Sequence, residues 1–205
     1  VSAIGELSQQ GWLFDGTLIE SNLQGANLQG AILHSPVQGG AKLRDAYLRK
    51  SNLSNMRLYE IDLEQAELQR AIVSGAQLVN ANLKGANLDY ADFQNTYLFL
   101  TDLEGAHFFQ TNISNAILWN VNLLGAKNLT DAQLASASRM RDATMPNGRR
   151  YDGRFNLSGD MSDATKAGVE LNNEKNMAFW YGVSLSAYQQ GQLWAKKHPS
   201  ELKKQ

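Results

Sequence analysis

Few side chains in this sequence have the types and spacing that catalysis or metal binding requires. The histidines His34, His107 and His198 lack a second histidine or a cysteine at metal-ligand spacing. The sequence contains no cysteine, which excludes thiol catalysis, zinc–thiolate sites and disulfides. Glycine-rich phosphate loops and nucleophile motifs are also missing. We therefore predict no catalytic residue, no metal ligand and no cofactor.

A five-residue repeat positions the side chains between residues 11 and 125. The segment divides into 23 consecutive pentapeptides, from GWLFD to VNLLG. The third residue is Leu, Ile, Val or Phe in 22 of them, the first is small in 19, and the second is Asn or Asp in 10. A period of five fits neither one face of a helix nor one face of a strand, so the chain must turn in every repeat. The third residues then line a continuous interior.

This A(N/D)LxG-like pattern resembles that of the pentapeptide-repeat family. The resemblance implies an all-β, right-handed quadrilateral β-helix with four pentapeptides in each coil. The first and third residues would point inward and the other three outward, with coils about 4.8 Å apart. Leucines that lie one coil apart would stack in two columns of the core: Leu23, Leu43, Leu63, Leu83 and Leu103, and Leu58, Leu78, Leu98 and Leu118.

One pentapeptide, PVQGG, breaks the rule. Gln38 occupies its third position, and Gly39 and Gly40 follow. A buried amide without a partner would cost about 1–3 kcal/mol. We therefore expect a loop or bulge that turns Gln38 outward. A gap built to hold a ligand is the alternative.

The repeat divides the chain into four predicted segments. They are an N-terminal cap over 1–10, the β-solenoid over 11–125, a capping helix over 126–140, and a small, mainly helical C-terminal extension over 141–205.

Capping patterns predict the helices that follow the solenoid. Thr130 and Gln133 have the spacing of a capping box, which predicts a helix from about Asp131 to Arg139. A turn over 146–148 and a short strand over 149–151 come next. Three more helices are expected: 163–170 after Ser162, 174–181 after Asn173, and one from Ser184 to about Lys197 that stops before Pro199.

One outward side of the solenoid carries large apolar groups. We name it the apolar face: Tyr59, Val79, Tyr97, Phe99, Leu100, Ile117 and Trp119. The C-terminal extension has an apolar helical face of its own: Met177, Trp180, Tyr181, Leu185, Tyr188 and Trp194. Two interpretations are open. The extension folds back and covers the apolar face, or a partner protein or a second copy of the chain binds there.

Charged residues divide unevenly along the chain, although the net charge is only −1. Residues 11–125 contain 7 basic and 11 acidic residues, and residues 126–205 contain 12 and 8. The column Arg44, Glu64, Lys84, Glu104 alternates in sign, which predicts stabilising pairs rather than acid–base catalysis by Asp62 and Glu64. Arg49, Lys50 and Arg70 form a basic group that is either simply solvated or binds an acidic partner.

A second, shorter resemblance concerns DNA. The segment from Ala178 to Ser184 resembles the turn of helix-turn-helix modules, and the next helix offers Gln189, Gln190, Lys196 and Lys197. That helix has two aromatic residues and no arginine, and the chain is nearly neutral. These features argue against nucleic acid as the partner.

We predict a non-enzymatic scaffold or interaction module with an unidentified protein partner, and a homodimer through the C-terminal region as a further option. A first alternative is the gyrase-binding DNA mimic known in this family, which the basic residues of the solenoid disfavour. A second is a structural or regulatory domain of a larger, thylakoid-associated protein, since the chain starts at Val1 and its tail resembles those of cyanobacterial members. No apolar run reaches the ~20 residues of a membrane span. A cytoplasmic location is preferred, and a thylakoid one is expected if a leader precedes Val1.

Overall fold

A computed structural model describes residues 13–29, 31, 33–35 and 39–202. The predicted N-terminal cap and the side chain of Gln38 lie outside these residues. From residue 41 to residue 127, each second residue of a pentapeptide forms a parallel bridge with its counterpart four pentapeptides later. One coil contains four such bridges: Lys42–Asp62, Tyr47–Glu67, Asn52–Ile72 and Arg57–Gln77. Each coil therefore has four bridged segments, which we call sides 1 to 4, beginning with the pentapeptides at residues 41, 46, 51 and 56.

Each pentapeptide ends in a tight turn that explains its sequence preferences. The N–H of Ala46, for example, donates to the carbonyl of Leu43 at 3.1 Å, and Asp45 between them has φ +56°. Every fifth residue from 45 to 125 has positive φ, a conformation that Gly and Asn adopt most easily. The side chain at the second position accepts from the N–H of the fourth residue, as between Asn82 and Lys84 at 3.2 Å. Asn and Asp recur at the second position because they close the turn.

The interior is filled by the first and third residues. Eight of the nine leucines predicted for the two columns are at most 1% exposed: Leu43, Leu63, Leu83, Leu103, Leu58, Leu78, Leu98 and Leu118. Each contributes on the order of 1.5–3 kcal/mol through burial. Leu23 departs from its predicted column. Leu23 is half-buried, and its N–H donates to the backbone carbonyl of Tyr47 at 2.8 Å. Leu23 therefore stacks on Leu48 instead of Leu43.

The cause of that departure is an extra pentapeptide. Strands β1 (His34–Ser35) and β2 (Gly39–Gly40) pair antiparallel, so the chain leaves the coil after Leu33 and returns at Gly39. The N–H of Ala41 donates to the carbonyl of Leu33 at 2.9 Å, which is the turn bond of an ordinary repeat. Bridges that cross this point span five pentapeptides instead of four, as between Asn22 and Tyr47. A side chain at Gly40 would lie 2.2 Å from the backbone of Glu60, so the return requires glycine.

The coil continues beyond Gly125. Helix α1 (Asp131–Ala135) has the predicted capping box between Thr130 and Gln133, but it ends before Arg139. After it, SRMRD and ATMPN behave as two more pentapeptides, with Met140 and Met145 buried and parallel bridges Ile117–Arg139 and Asn122–Thr144. These bridges join residues slightly farther apart in sequence than those of a regular coil, because the helix replaces part of the coil. The predicted turn at 146–148 then leads into a short antiparallel pairing of Arg150 with Thr144.

Four helices complete the extension: α2 (Ser158–Lys166), α3 (Glu174–Trp180), α4 (Leu185–Lys197) and α5 (Pro199–Leu202). Asn173 and Ser184 cap α3 and α4 as predicted. The helix predicted at 163–170 is wrong in position, because packing rather than a side-chain cap fixes the start of α2. Gly159 lies so close to the carbonyl of Ser138 that a β-carbon would be 2.5 Å from it. Pro199 starts α5, since proline is favoured in the first turn of a helix.

Candidate functional site

The apolar face lies on side 4 of the regular coils and is open in part. Tyr97 is 48% exposed, Leu100 41% and Trp119 37%. The remaining members, Tyr59, Val79, Phe99 and Ile117, are half-buried. The backbone ladder fixes their columns. Tyr97 bridges to Ile117, and the N–H of Leu100 donates to the backbone carbonyl of Trp119 at 3.2 Å. The side chains are thus held on a regular frame rather than on a mobile loop.

Trp119 is held in place from three directions. Its ring centroid lies 5.3 Å from that of Phe99, and its indole N–H donates to Asp142 Oδ2 at 3.1 Å. The guanidinium of Arg141 lies 4.9 Å from the centroid of the Trp119 ring and 4.2 Å from that of Trp180. Cation–π contacts of this kind contribute about 0.5–2 kcal/mol each. The extension therefore meets the apolar face at its edge, around Trp119.

The apolar residues of the extension pack at the end of the coil stack. Met177, Tyr181 and Tyr188 are buried, and Trp180, Leu185 and Trp194 are half-buried. Tyr181 contacts Tyr151 edge-on at 5.5 Å, and Trp194 contacts Phe155 in the same way at 5.4 Å. The extension thus closes the end of the core while Tyr97 and Leu100 stay exposed, an arrangement that favours the partner interpretation of the apolar face.

Asp142 links the Trp119 edge to the extension. It forms ion pairs with Arg141 and Arg150 and accepts the Trp119 N–H. Burial alone would raise the pKa of Asp142, but the hydrogen bonds from Arg150 and Trp119 outweigh it and hold this pKa below its usual value. Asp142 is therefore ionised at neutral pH. The repeat pattern of SRMRD was the sequence signal that could have predicted this residue, at the fifth position of a pentapeptide.

A second carboxylate joins α2 to the coil. Asp160 is 2% exposed and accepts from the backbone N–H groups of Met140 at 3.2 Å and Arg141 at 3.3 Å. Burial raises the pKa of Asp160 to about 6, although both N–H groups oppose the rise. The nearby Asp163 forms a bidentate pair with Arg139, with distances of 2.6 and 3.2 Å. Sequence analysis missed Asp160 because nothing in its local sequence marks it as buried.

Side 1 has the predicted ladder of alternating charges. Arg44 pairs with Glu64 at 2.9 Å, and Lys84 pairs with Glu104 at 3.1 Å. The hydrogen bond with Glu104 raises the pKa of Lys84. These carboxylates are thus neutralised within the solenoid, as expected for surface pairs.

Other predicted candidates are exposed or used internally. His107 lies 3.1 Å from the Lys127 ammonium, and His34 contacts the ring of Tyr59. Gln189 on α4 donates to Glu174 at 2.8 Å, while Gln190, Lys196 and Lys197 are exposed. Within residues 13–29, 31, 33–35 and 39–202, no group of three acidic or histidine side chains could hold a metal ion. In the same part of the chain, no helix has the length and apolar character to cross a membrane.

Comparison with known proteins matches the repeated segment of the chain to one family. The sequence model of the pentapeptide-repeat family matches residues 41–78, 66–105 and 101–138, with eight copies. No curated protein matches the chain in sequence. Among solved structures, the chain is similar to Rfr23, a pentapeptide repeat protein of the cyanobacterium Cyanothece 51142, with 24% identity and a TM-score of 0.40 over 68% of this chain and 99% of Rfr23.

Two more solved structures are similar to the chain. HetL, a pentapeptide repeat protein involved in heterocyst differentiation regulation from Nostoc sp. strain PCC 7120, is 29% identical with a TM-score of 0.30. The match covers 64% of this chain and 60% of HetL. QnrB1, a plasmid-mediated fluoroquinolone resistance protein, is 18% identical with a TM-score of 0.37, over 75% of this chain and 86% of QnrB1.

Proposed function

Since its repeats make this chain a member of the pentapeptide-repeat family, we propose that it is a non-enzymatic interaction module whose apolar face binds a protein partner. The matched model describes a repeat and does not point to an enzyme family. The right-handed, four-sided form implied by the family is part of this proposal, because the rigid coil would present the face as a fixed surface. The partner is a protein with a complementary apolar patch.

One observation carries the proposal: the large apolar side chain of Leu100 stands exposed at a position where the backbone favours glycine or a small polar residue. Leu100 occupies a fifth position with φ +58°, where most repeats have Gly, Asn or another polar residue. A residue with a β-carbon costs roughly 1–2 kcal/mol there relative to glycine. Exposed apolar groups kept at such positions are typical of contact surfaces.

The Trp119 edge supports the same proposal. Trp119 is fixed by Phe99, Arg141 and Asp142 before any partner arrives. A side chain that is already ordered loses less conformational entropy on binding. Tryptophan and tyrosine are also among the residues that most often dominate binding energy at protein interfaces. Trp119 and Tyr97 are therefore the expected anchors of the interface.

Affinity capture with matched variants tests the proposal. Tyr97→Ser removes a ring that is 48% exposed on the apolar face, and Tyr47→Ser removes one that is 46% exposed on side 2. We expect a specific protein to be retained from an extract of the source cells by the wild-type chain and by Tyr47→Ser, and to be lost with Tyr97→Ser. Equal retention by all three would refute the assignment of the apolar face.

No specific observation favours the DNA-mimic alternative. A mimic of the DNA backbone needs a continuous acidic surface, and on side 1 Arg44 and Lys84 neutralise Glu64 and Glu104.

A further inference from the structure

A concave basic groove lies on the solenoid away from the apolar face, along the turn that joins sides 2 and 3. We call it the basic groove. Its lining includes Arg49, Lys50, Gln69, Arg70, Asp89 and Tyr90. Side 3 lies between this turn and side 4, so one partner segment can occupy the groove without touching the apolar face. The two surfaces share no residue.

Two cations in the groove stand on adjacent coils, and neither has an acidic partner among the described residues. Lys50 and Arg70 are fifth-position residues of successive coils, and the backbone ladder holds these coils together through the Lys50 N–H and the Gln69 carbonyl at 3.0 Å. In the described part of the chain, neither side chain lies within ion-pair distance of a carboxylate. Like charges on adjacent rungs of a ladder repel each other.

Side 1 shows that this repulsion is not a necessity of the fold. There the fourth-position cations stand beside glutamates on the next coil: Arg44 pairs with Glu64 at 2.9 Å and Lys84 with Glu104 at 3.1 Å. In the groove, Arg49 is paired with Glu67 at 3.1 Å, and it is the one groove cation with such a pair among the described residues. The one acid in the lining, Asp89, accepts the Phe109 N–H at 2.9 Å. The ladder therefore keeps two positive charges on adjacent coils, although the fold also accepts alternating charges, as on side 1.

The groove also orients one of these charges. The guanidinium of Arg70 lies 5.4 Å from the centre of the Tyr90 ring, and Phe109 contacts Tyr90 edge-on at 5.4 Å. Stacking on an aromatic ring leaves the edge of the guanidinium free to donate hydrogen bonds. A carboxylate is the natural acceptor for that edge, and the Lys50 ammonium on the next coil can contact a second one.

We propose that the basic groove binds an acidic peptide segment of a protein, with its carboxylates at Arg70 and Lys50. Such a segment would remove the repulsion between the two cations and pair each with an anion. The site needs neither Tyr97 nor Leu100, so it is independent of the apolar face. A loss of binding at one surface would therefore leave binding at the other intact.

The test uses the full chain and a fluorescein-labelled peptide of seven glutamates, with fluorescence anisotropy at low salt. We expect Arg70→Gln to weaken binding at least tenfold (about 1.4 kcal/mol). Gln65 and Gln110 adopt the same positive φ at the equivalent position, so glutamine fits the backbone there. Lys50→Asn should also weaken binding. Asparagine fits the backbone at a fifth position, because Asn55 has nearly the same φ as Lys50. The matched control is Arg57→Gln, which removes the same charge from an exposed second position on side 4.

Each outcome decides the proposal. Binding that is lost in Arg70→Gln and Lys50→Asn, and kept within twofold in Arg57→Gln and Tyr97→Ser, supports it. An equal loss in Arg57→Gln would mean non-specific attraction and would overturn it. Absence of binding by the wild-type chain at millimolar peptide would overturn it as well. If single-stranded oligothymidine bound more tightly than the peptide, and this binding depended on Arg70, the proposal would also be overturned, because the groove would then be a nucleic-acid site. Urea unfolding of each variant confirms that the fold is kept.

Discussion

At the scale of single residues, Leu100 has a conformation that its side chain disfavours. Leu100→Asn should raise the free energy of unfolding by about 0.5–1 kcal/mol, because asparagine adopts positive φ more easily than leucine. The same change should weaken partner binding, because it removes an exposed apolar group. Urea denaturation measures the first effect and affinity capture the second.

Gln110→Asn is the matched control for this prediction. Gln110 is an exposed fifth-position residue with φ +54° outside the apolar face. It should show a similar or smaller gain in stability with no loss of binding. Destabilisation by Leu100→Asn would contradict the view that Leu100 is kept for contact rather than for folding.

The buried Asp160 should make stability depend on pH. Its pKa in the folded chain is raised to about 6 from a reference value of 3.8, so the folded state binds a proton more tightly than the unfolded state. The stability that Asp160 contributes is therefore fully present below about pH 4 and is lost as pH rises through 6. A shift of this size corresponds to on the order of 2–3 kcal/mol.

The measurement is a comparison of wild type with Asp160→Asn by urea unfolding from pH 4 to 7. The wild-type chain should gain stability relative to the variant as the pH is lowered. The ion pairs of Asp142 and Asp163, which weaken at low pH, are present in both proteins and cancel in the difference. If the stability difference between wild type and Asp160→Asn did not change with pH, the raised pKa of Asp160 and its burial would be contradicted.

At the scale of elements, the inserted pentapeptide is separable from the coil. Deletion of residues 34–38 would join Leu33 directly to Gly39 and give the ordinary pentapeptide AILGG. Because the coil already closes through the Ala41–Leu33 hydrogen bond, we expect the free energy of unfolding to change by less than about 1 kcal/mol. Thermal unfolding followed by circular dichroism measures this.

Deletion of residues 61–65 provides the comparison. It removes the same number of residues, but from inside a coil, where Leu63 is buried and Asp62 bridges to Lys42 and Asn82. This deletion should lower stability by several kcal/mol or abolish cooperative unfolding. If the two deletions had the same effect, residues 34–38 would be part of the coil.

The same insertion shows how far sequence reasoning can go in a repeat of five. The period fixes which residues point inward, so the burial of Leu43 or Leu118 could be predicted from the sequence alone. An inserted pentapeptide keeps that inward and outward alternation but moves every earlier residue by one side. The register of Leu23 was therefore predicted wrongly, whereas the apolar face, which follows the insertion, was assembled from the correct columns.

Helices α3 and α4 of the extension could be predicted from the sequence, but the way the extension packs on the coil could not. Capping residues such as Asn173 and Ser184 act locally, so their helices could be placed from the sequence. An amphipathic helix indicates that one of its faces is buried, but not against what. The contacts of Tyr181 with Tyr151 and of Trp194 with Phe155 depend on three-dimensional proximity that no local pattern encodes. The start of α2 was missed for the same reason.

At the scale of the whole molecule, the sides of the solenoid present different surfaces. The extension closes the end of the core and contacts the apolar face around Trp119, through Arg141 and Asp142. Side 1 neutralises its own charges, and the basic groove does not. The outward residues of the repeat thus differ from side to side, as expected of a module that presents separate binding surfaces.

Site-specific photo-crosslinking tests whether the apolar face is the binding surface. A photoreactive phenylalanine analogue is placed at Tyr97 in one protein and at Tyr47 in another, two positions of nearly equal exposure on different sides. We expect illumination in the source cells to give one discrete adduct with another protein at position 97 and none at position 47. No adduct at position 97, or the same adducts at both positions, would contradict the claim that the apolar face is the binding surface.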